Sequence, residues 1–148
     1  MRAASLPLLA VACAAILFAT PRDLAIASPT TISGTFSVTL AIMSDNATIP
    51  LNTPIALSVS IGGSVPQASG NQATSARQTV TKTSTTQNVT ISLPFDWTSQ
   101  GAPPTVATLS VSVTPALNYP ASDSLYLTLT VPVPANNGTM AITLPAQL

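Results

Sequence analysis

The chain predicts an all-β sandwich of about seven antiparallel strands, and three observations carry that expectation. Aliphatic side chains recur at every second position in one segment after another, the period of a strand with one buried face. Clusters of Gly, Pro, Asn and Asp separate these segments. No stretch after Ser28 shows the helical repeat.

Taken in order, Ile32, Phe36, Val38, Leu40 and Ile42 alternate with Ser and Thr in the first segment, and Ile55, Leu57, Val59 and Ile61 in the second. A weaker, polar third segment surrounds Val80 from Gln78 to Thr83. Val89, Ile91, Leu93 and Phe95 face one way in the fourth, and Ala107, Leu109, Val111 and Val113 in the fifth. The sixth carries Leu125, Leu127, Leu129, Val131 and Val133, and the last Met140, Ile142 and Leu144.

Between them, Ser44-Asp45-Asn46, Gly62-Gly63, Gly101 with Pro103-Pro104, and Asn118 to Pro120 supply turn chemistry. Asn137-Gly138 suits a two-residue type I′ turn, which predicts a hairpin joining the sixth and seventh strands. Ser64 to Ala76 is the long polar loop and the first place to seek a binding loop. Such strands in about 120 residues fit two sheets packed face to face, as in immunoglobulin-like domains. A membrane barrel also alternates, but it needs longer strands and girdles of aromatic residues. The whole chain has three Phe, two Tyr and one Trp.

The N-terminus predicts export. Met1-Arg2 is followed by the apolar run Leu6–Ala19, and Ala25-Ile26-Ala27 places small residues before a cleavage point at Ser28. The run is shorter than the ~20 residues a membrane-crossing helix requires. Residues 1–27 are therefore expected to be a secretory signal peptide and 28–148 a single β-sandwich domain, with no membrane span after cleavage. Cys13 loosely fits a lipoprotein site, but apolar residues continue through Ala19 where a lipidated Cys opens a polar tether. The expected destination is the periplasm, the cell surface or the extracellular medium.

Very little reactive chemistry remains after Ser28. The chain has no His, its one Cys lies in the leader, and no Glu occurs anywhere. The remaining charged residues are Asp45, Arg77, Lys82, Asp96 and Asp123. Neither a zinc or copper ligand set nor an evident acid–base pair is available, so no catalytic residue, metal or cofactor is expected. Calcium at Ser44-Asp45-Asn46 lacks an accompanying acidic cluster. A Lys82–Ser dyad is conceivable, but Lys82 falls in the most polar strand and is expected to be solvated. Two basic residues cannot supply the electrostatic footprint of nucleic-acid binding.

Trp97, Tyr119 and Tyr126 are the candidates for a sugar-binding platform. Parity directs Trp97 to the core and Tyr126 to an outer face. Asp123-Ser-Leu-Tyr126 resembles the tyrosine corner of immunoglobulin-like domains, one residue short in spacing, which implies a structural role for Tyr126. Asn46, Asn88 and Asn137 each begin an N-x-T triplet, a glycosylation acceptor in a eukaryotic host.

The outward faces carry Ser and Thr where natural sheet edges carry Lys and Glu to block pairing. Pro132 and Pro134 are expected to blunt one side of the sixth strand. The first strand, Thr30 to Ile42, lacks proline and is the candidate edge for assembly through Thr35, Ser37 and Thr39. The leading expectation is a secreted or cell-surface, non-catalytic structural or interaction protein. It would act through protein–protein contact with a partner or by self-association, in oligomers or fibres. In size, export and Thr-rich strands the chain resembles bacterial fimbrial subunits, which leave their sandwich a strand short. The expected Asn137-Gly138 hairpin departs from that pattern by completing the sheet. A carbohydrate- or small-ligand-binding module is the alternative, with a glycan as partner. An accessory domain of an envelope or export complex is the second.

Overall fold

The computed structural model describes residues 28–63, 72–116, 120 and 123–148. The predicted signal peptide therefore lies outside the described residues, as do 64–71 of the predicted long loop and Tyr119. Among the described residues seven strands form: β1 (Pro29–Met43), β2 (Pro54–Gly63), β3 (Ala73–Thr81), β4 (Thr86–Gln100), β5 (Val106–Pro115), β6 (Leu125–Pro132) and β7 (Gly138–Gln147). No helix among them is long and apolar enough to cross a membrane.

The strands divide into a three-stranded sheet ordered β4-β1-β7 and a four-stranded sheet ordered β3-β2-β5-β6. The two pack face to face as an all-β sandwich. Even-numbered residues of β1 from Phe36 to Ile42, and odd-numbered residues of β2 from Ile55 to Ile61, of β4 from Val89 to Ser99 and of β5 from Ala107 to Pro115, are buried, so the period-two pattern places the core. Phe36, Phe95 and Trp97 form its aromatic centre, with Phe95 and Trp97 ring centroids 4.5 Å apart and Phe36 and Phe95 5.1 Å apart.

Three expectations about the strands and their connections require correction. β1 is the middle strand of its sheet, paired with β4 on one side and β7 on the other, so the main chain at Thr35, Ser37 and Thr39 is not free for assembly. Period-two patterning fixes which face is buried but carries no information on how many neighbours a strand has. Asn137-Gly138 does not close a hairpin. Asn137 has φ 61°, but Gly138 lacks the positive φ a type I′ turn needs, and the chain crosses from β6 in one sheet to β7 in the other. The crossing is pinned to β1: Asn137 N–H donates to Ser33 O at 2.7 Å, and Ser33 N–H to Asn136 Oδ1 at 2.9 Å. β7 consequently runs parallel to β1, whereas every other described pair is antiparallel. Finally, Ala73–Ala76 belong to β3 rather than to the loop.

Gly34 of β1 sits between Phe95 of β4 and Gly138 of β7. A Cβ there would sit 2.7 Å from Gly138 O and 2.9 Å from the Phe95 ring, which occupies the space a side chain would take. Gly34→Ala is expected to lower unfolding free energy by about 1–3 kcal/mol in a denaturant titration. Unchanged stability would mean that the Phe95 ring and the crossing give way without cost.

Candidate functional site

Two features of the sandwich have chemistry to offer, and β6 contributes to both. The first is a trough across the outer face of the larger sheet. Register places Arg77 of β3 opposite Ser58 of β2, Ser58 opposite Ser112 of β5, and Ser112 opposite Tyr126 of β6. Four strands thus contribute one straight row, with an arginine at one end, two serines as floor and a tyrosine at the other end. Three interstrand spacings of ~4.8 Å make it about 14 Å long.

Two hollows follow this row. One of about 360 Å³ is lined on its outward side by Ala56, Ser58, Arg77, Thr79, Ser112 and Thr114. The other, of about 180 Å³, shares Ser58 and Ser112 and adds Ser60, Ser110, Tyr126 and Thr128. They exist because the central strands carry Ala and Ser where the flanking strands carry Arg, Thr and Tyr.

The trough has binding groups of three kinds. Arg77 is the one charged residue in the strands of this sheet, and among the described residues no carboxylate pairs with it. Its guanidinium presents a planar fork suited to a carboxylate. The Ser and Thr hydroxyls of the floor both donate and accept. Tyr126 is 70% exposed and offers an apolar ring face with a polar tip. That exposure, on β6 rather than at a buried corner, removes the tyrosine-corner reading. Neither carboxylate nor amine lines either hollow.

The other two members of the predicted platform do not join Tyr126. Trp97 is buried, as parity anticipated, and stacks within the core, so it is unavailable to a ligand. Tyr119 lies outside the described residues. Arg77 was missed by sequence reasoning because its role depends on register across four strands. Its odd parity, opposite to that of Val80, was the available signal.

The second feature is the open side of the sandwich, where β6 and β7 end their respective sheets. Every inward side chain of β4 from Val89 to Ser99 is buried. On β6 and β7, by contrast, Leu125, Leu127, Met140, Ile142 and Leu144 are only half-buried, and Leu129 is 37% exposed. These six aliphatic side chains form a seam between the sheets. The opposite side is latched: Gln72 Nε2 donates to Thr98 O at 2.7 Å and Gln87 Nε2 to Thr81 O at 3.2 Å.

Main-chain groups also face outward along the open side. Proline cannot donate, so Val106 and Pro132 form a non-bonded pair, and alternation turns the amides of Tyr126, Thr128 and Thr130 away from β5. On β7, Leu148 N–H donates to Met43 O, which leaves the amides of Thr139, Ala141 and Thr143 facing outward. Pro132 and Pro145 each remove one outward donor near a strand end.

Lys82 and Asp45 have structural work instead. Lys82 is buried rather than solvated, and its ammonium donates to Asp45 O at 2.7 Å and to Ile49 O. Asp45 accepts the Thr48 backbone N–H, and this bond chiefly holds its carboxyl below the usual pKa. Comparison with known protein families, with characterised proteins and with solved structures found no match for this chain.

Proposed function

We propose that this is an exported, non-catalytic structural protein that associates with a second copy of itself through its β6/β7 side. The partly exposed aliphatic seam is the observation that carries this reading. Apolar side chains between two sheets are ordinarily covered, and here Leu125, Leu127, Leu129, Met140, Ile142 and Leu144 are only partly covered by the described residues.

A second copy suits the seam for geometric and electrostatic reasons. β6 and β7 run in opposite directions, because β6 is antiparallel to β5 while β7 is parallel to β1 and lies on the far side of the crossing. A twofold axis parallel to the strands therefore sets β6 of one copy against β7 of the other twice, both times antiparallel. Such a contact is self-complementary and closed. Neither strand carries a charge, so no like-charged pair opposes the approach. Each contact would continue a four-stranded sheet into a three-stranded one.

The sheet connectivity supports an immunoglobulin-like arrangement with one rearrangement. β1 to β6 follow the strand neighbours B-E and C′-C-F-G, while β7 stands where the first strand would lie beside B. Export rests on the charged, apolar and small-residue regions of 1–27.

Size-exclusion chromatography with light scattering of residues 28–148 tests the association. The parent is expected to be a dimer. Leu129→Lys places a charge in the seam and Ala141→Pro removes an outward donor, and each is expected to yield a folded monomer. A parent monomeric at all attainable concentrations would overturn the proposal, and so would a dimer indifferent to both substitutions.

A further inference from the structure

We propose that the trough on the outer face of β3-β2-β5-β6 is a binding site for an acidic saccharide, with Arg77 holding a carboxylate and Tyr126 stacking on a sugar ring. This goes beyond self-association and does not depend on it, since the trough faces solvent while the seam lies between the sheets.

The ligand class follows from what lines the trough. Its floor is hydroxyl, with Ser58, Ser60, Ser110 and Ser112 presenting side chains that give and take hydrogen bonds in any direction. A hydroxyl-rich ligand matches such a floor. A lipid tail does not, because the inward-facing aliphatic residues of these strands are committed to the core. An extended peptide binds chiefly through main-chain pairing, and the central strands β2 and β5 have neighbours on both sides. A saccharide needs neither an apolar floor nor a free strand edge.

The two ends set polarity. Arg77 has no ion-pair partner among the described residues and stands beside the larger hollow, so a carboxylate gains a bidentate, charge-assisted contact there without displacing any of them. Tyr126, exposed at the other end, supplies the one aromatic plate among the described residues lining the trough. The length of about 14 Å, three strand spacings, accommodates a short oligosaccharide lying across the strands. No group lining the hollows is placed to cleave it, so the site holds its ligand unchanged.

Isothermal titration calorimetry with a short oligogalacturonate, its methyl ester and a neutral gluco-oligosaccharide tests the assignment. Saturable binding of the oligogalacturonate is expected, weakening as salt is raised. Arg77→Gln, Tyr126→Ala and esterification of the ligand are each expected to reduce affinity by about tenfold or more. Both substitutions fall on exposed side chains outside the core, so circular dichroism and melting of the two variants should match the parent. Leu129→Lys is expected to retain binding, which separates failure here from failure of the dimer. No binding by the parent overturns the proposal. Equal affinity for acid and ester, or for parent and Arg77→Gln, removes the carboxylate contact and overturns it as well.

Discussion

Trp97→Ala is expected to destabilise the domain by about 3–5 kcal/mol in denaturant unfolding, the largest single effect anticipated for this chain. Trp97 is 2% exposed, and its ring packs on Phe95 and stands 6.1 Å from Phe36. A Cβ on Gly63 would fall 2.9 Å from the same ring, so β2 has given up its side chain to make room. Truncation removes the indole and leaves a void that strands on both sheets cannot fill by small shifts. Trp97→Phe is expected to cost much less. It keeps most of the apolar contact, and the indole N–H it discards has no acceptor among the described residues. Equal losses for Phe and Ala would mean that this N–H is bonded in solution. The pair also tests the assignment of Trp97 to the core: saccharide binding by the Phe variant should equal that of the parent.

Lys82→Met is expected to cost about 2–4 kcal/mol, read in the same titration. Lys82 is 1% exposed, and its ammonium satisfies Asp45 O and Ile49 O while its own N–H and C=O bond Thr53 O and Asn52 N–H. One residue thus fastens the loop between β1 and β2 from inside. Methionine reproduces the length but has no donor. Ile49 O then loses the ammonium bond, whereas Asp45 O keeps the Ile49 N–H at 3.1 Å. Amide exchange at Thr48 and Ile49 should accelerate more than exchange in β2 or β5. Against this loss stands the cost of burying an ammonium, which apolar replacement relieves. A Met variant as stable as the parent would show that this relief outweighs the missing hydrogen bonds.

The fold class was legible because period-two aliphatic spacing is a direct image of a half-buried strand. Ile32 to Ile42, Ile55 to Ile61 and Val89 to Trp97 all bury the side that the spacing indicates. Arrangement was not legible. Whether β1 is central or at an edge depends on where β7 returns, and the crossing at Asn136 and Asn137 is decided by hydrogen bonds to Ser33, far away in sequence. Asn-Gly favours a tight turn in isolation, and this tertiary anchoring outweighs the preference. Lys82 was misplaced for another reason. It shares the parity of Val80 and so points inward, but polar neighbours at Thr81 and Thr83 hid that continuation. The trough was half visible: parity placed Tyr126 outside, whereas its alignment with Arg77 exists only through three successive registers.

The parallel pairing of β1 with β7 has a mechanical consequence. Gly34 lies beside Gly138 and Met43 beside Gln147, so Ser28 and Leu148 leave this ribbon at opposite extremities. Tension applied between Ser28 and Leu148 drags the two strands past each other lengthwise and loads their hydrogen bonds together instead of unzipping them one at a time. A sandwich pulled at Ser28 and Leu148 would resist stretching first through the β1–β7 pairing.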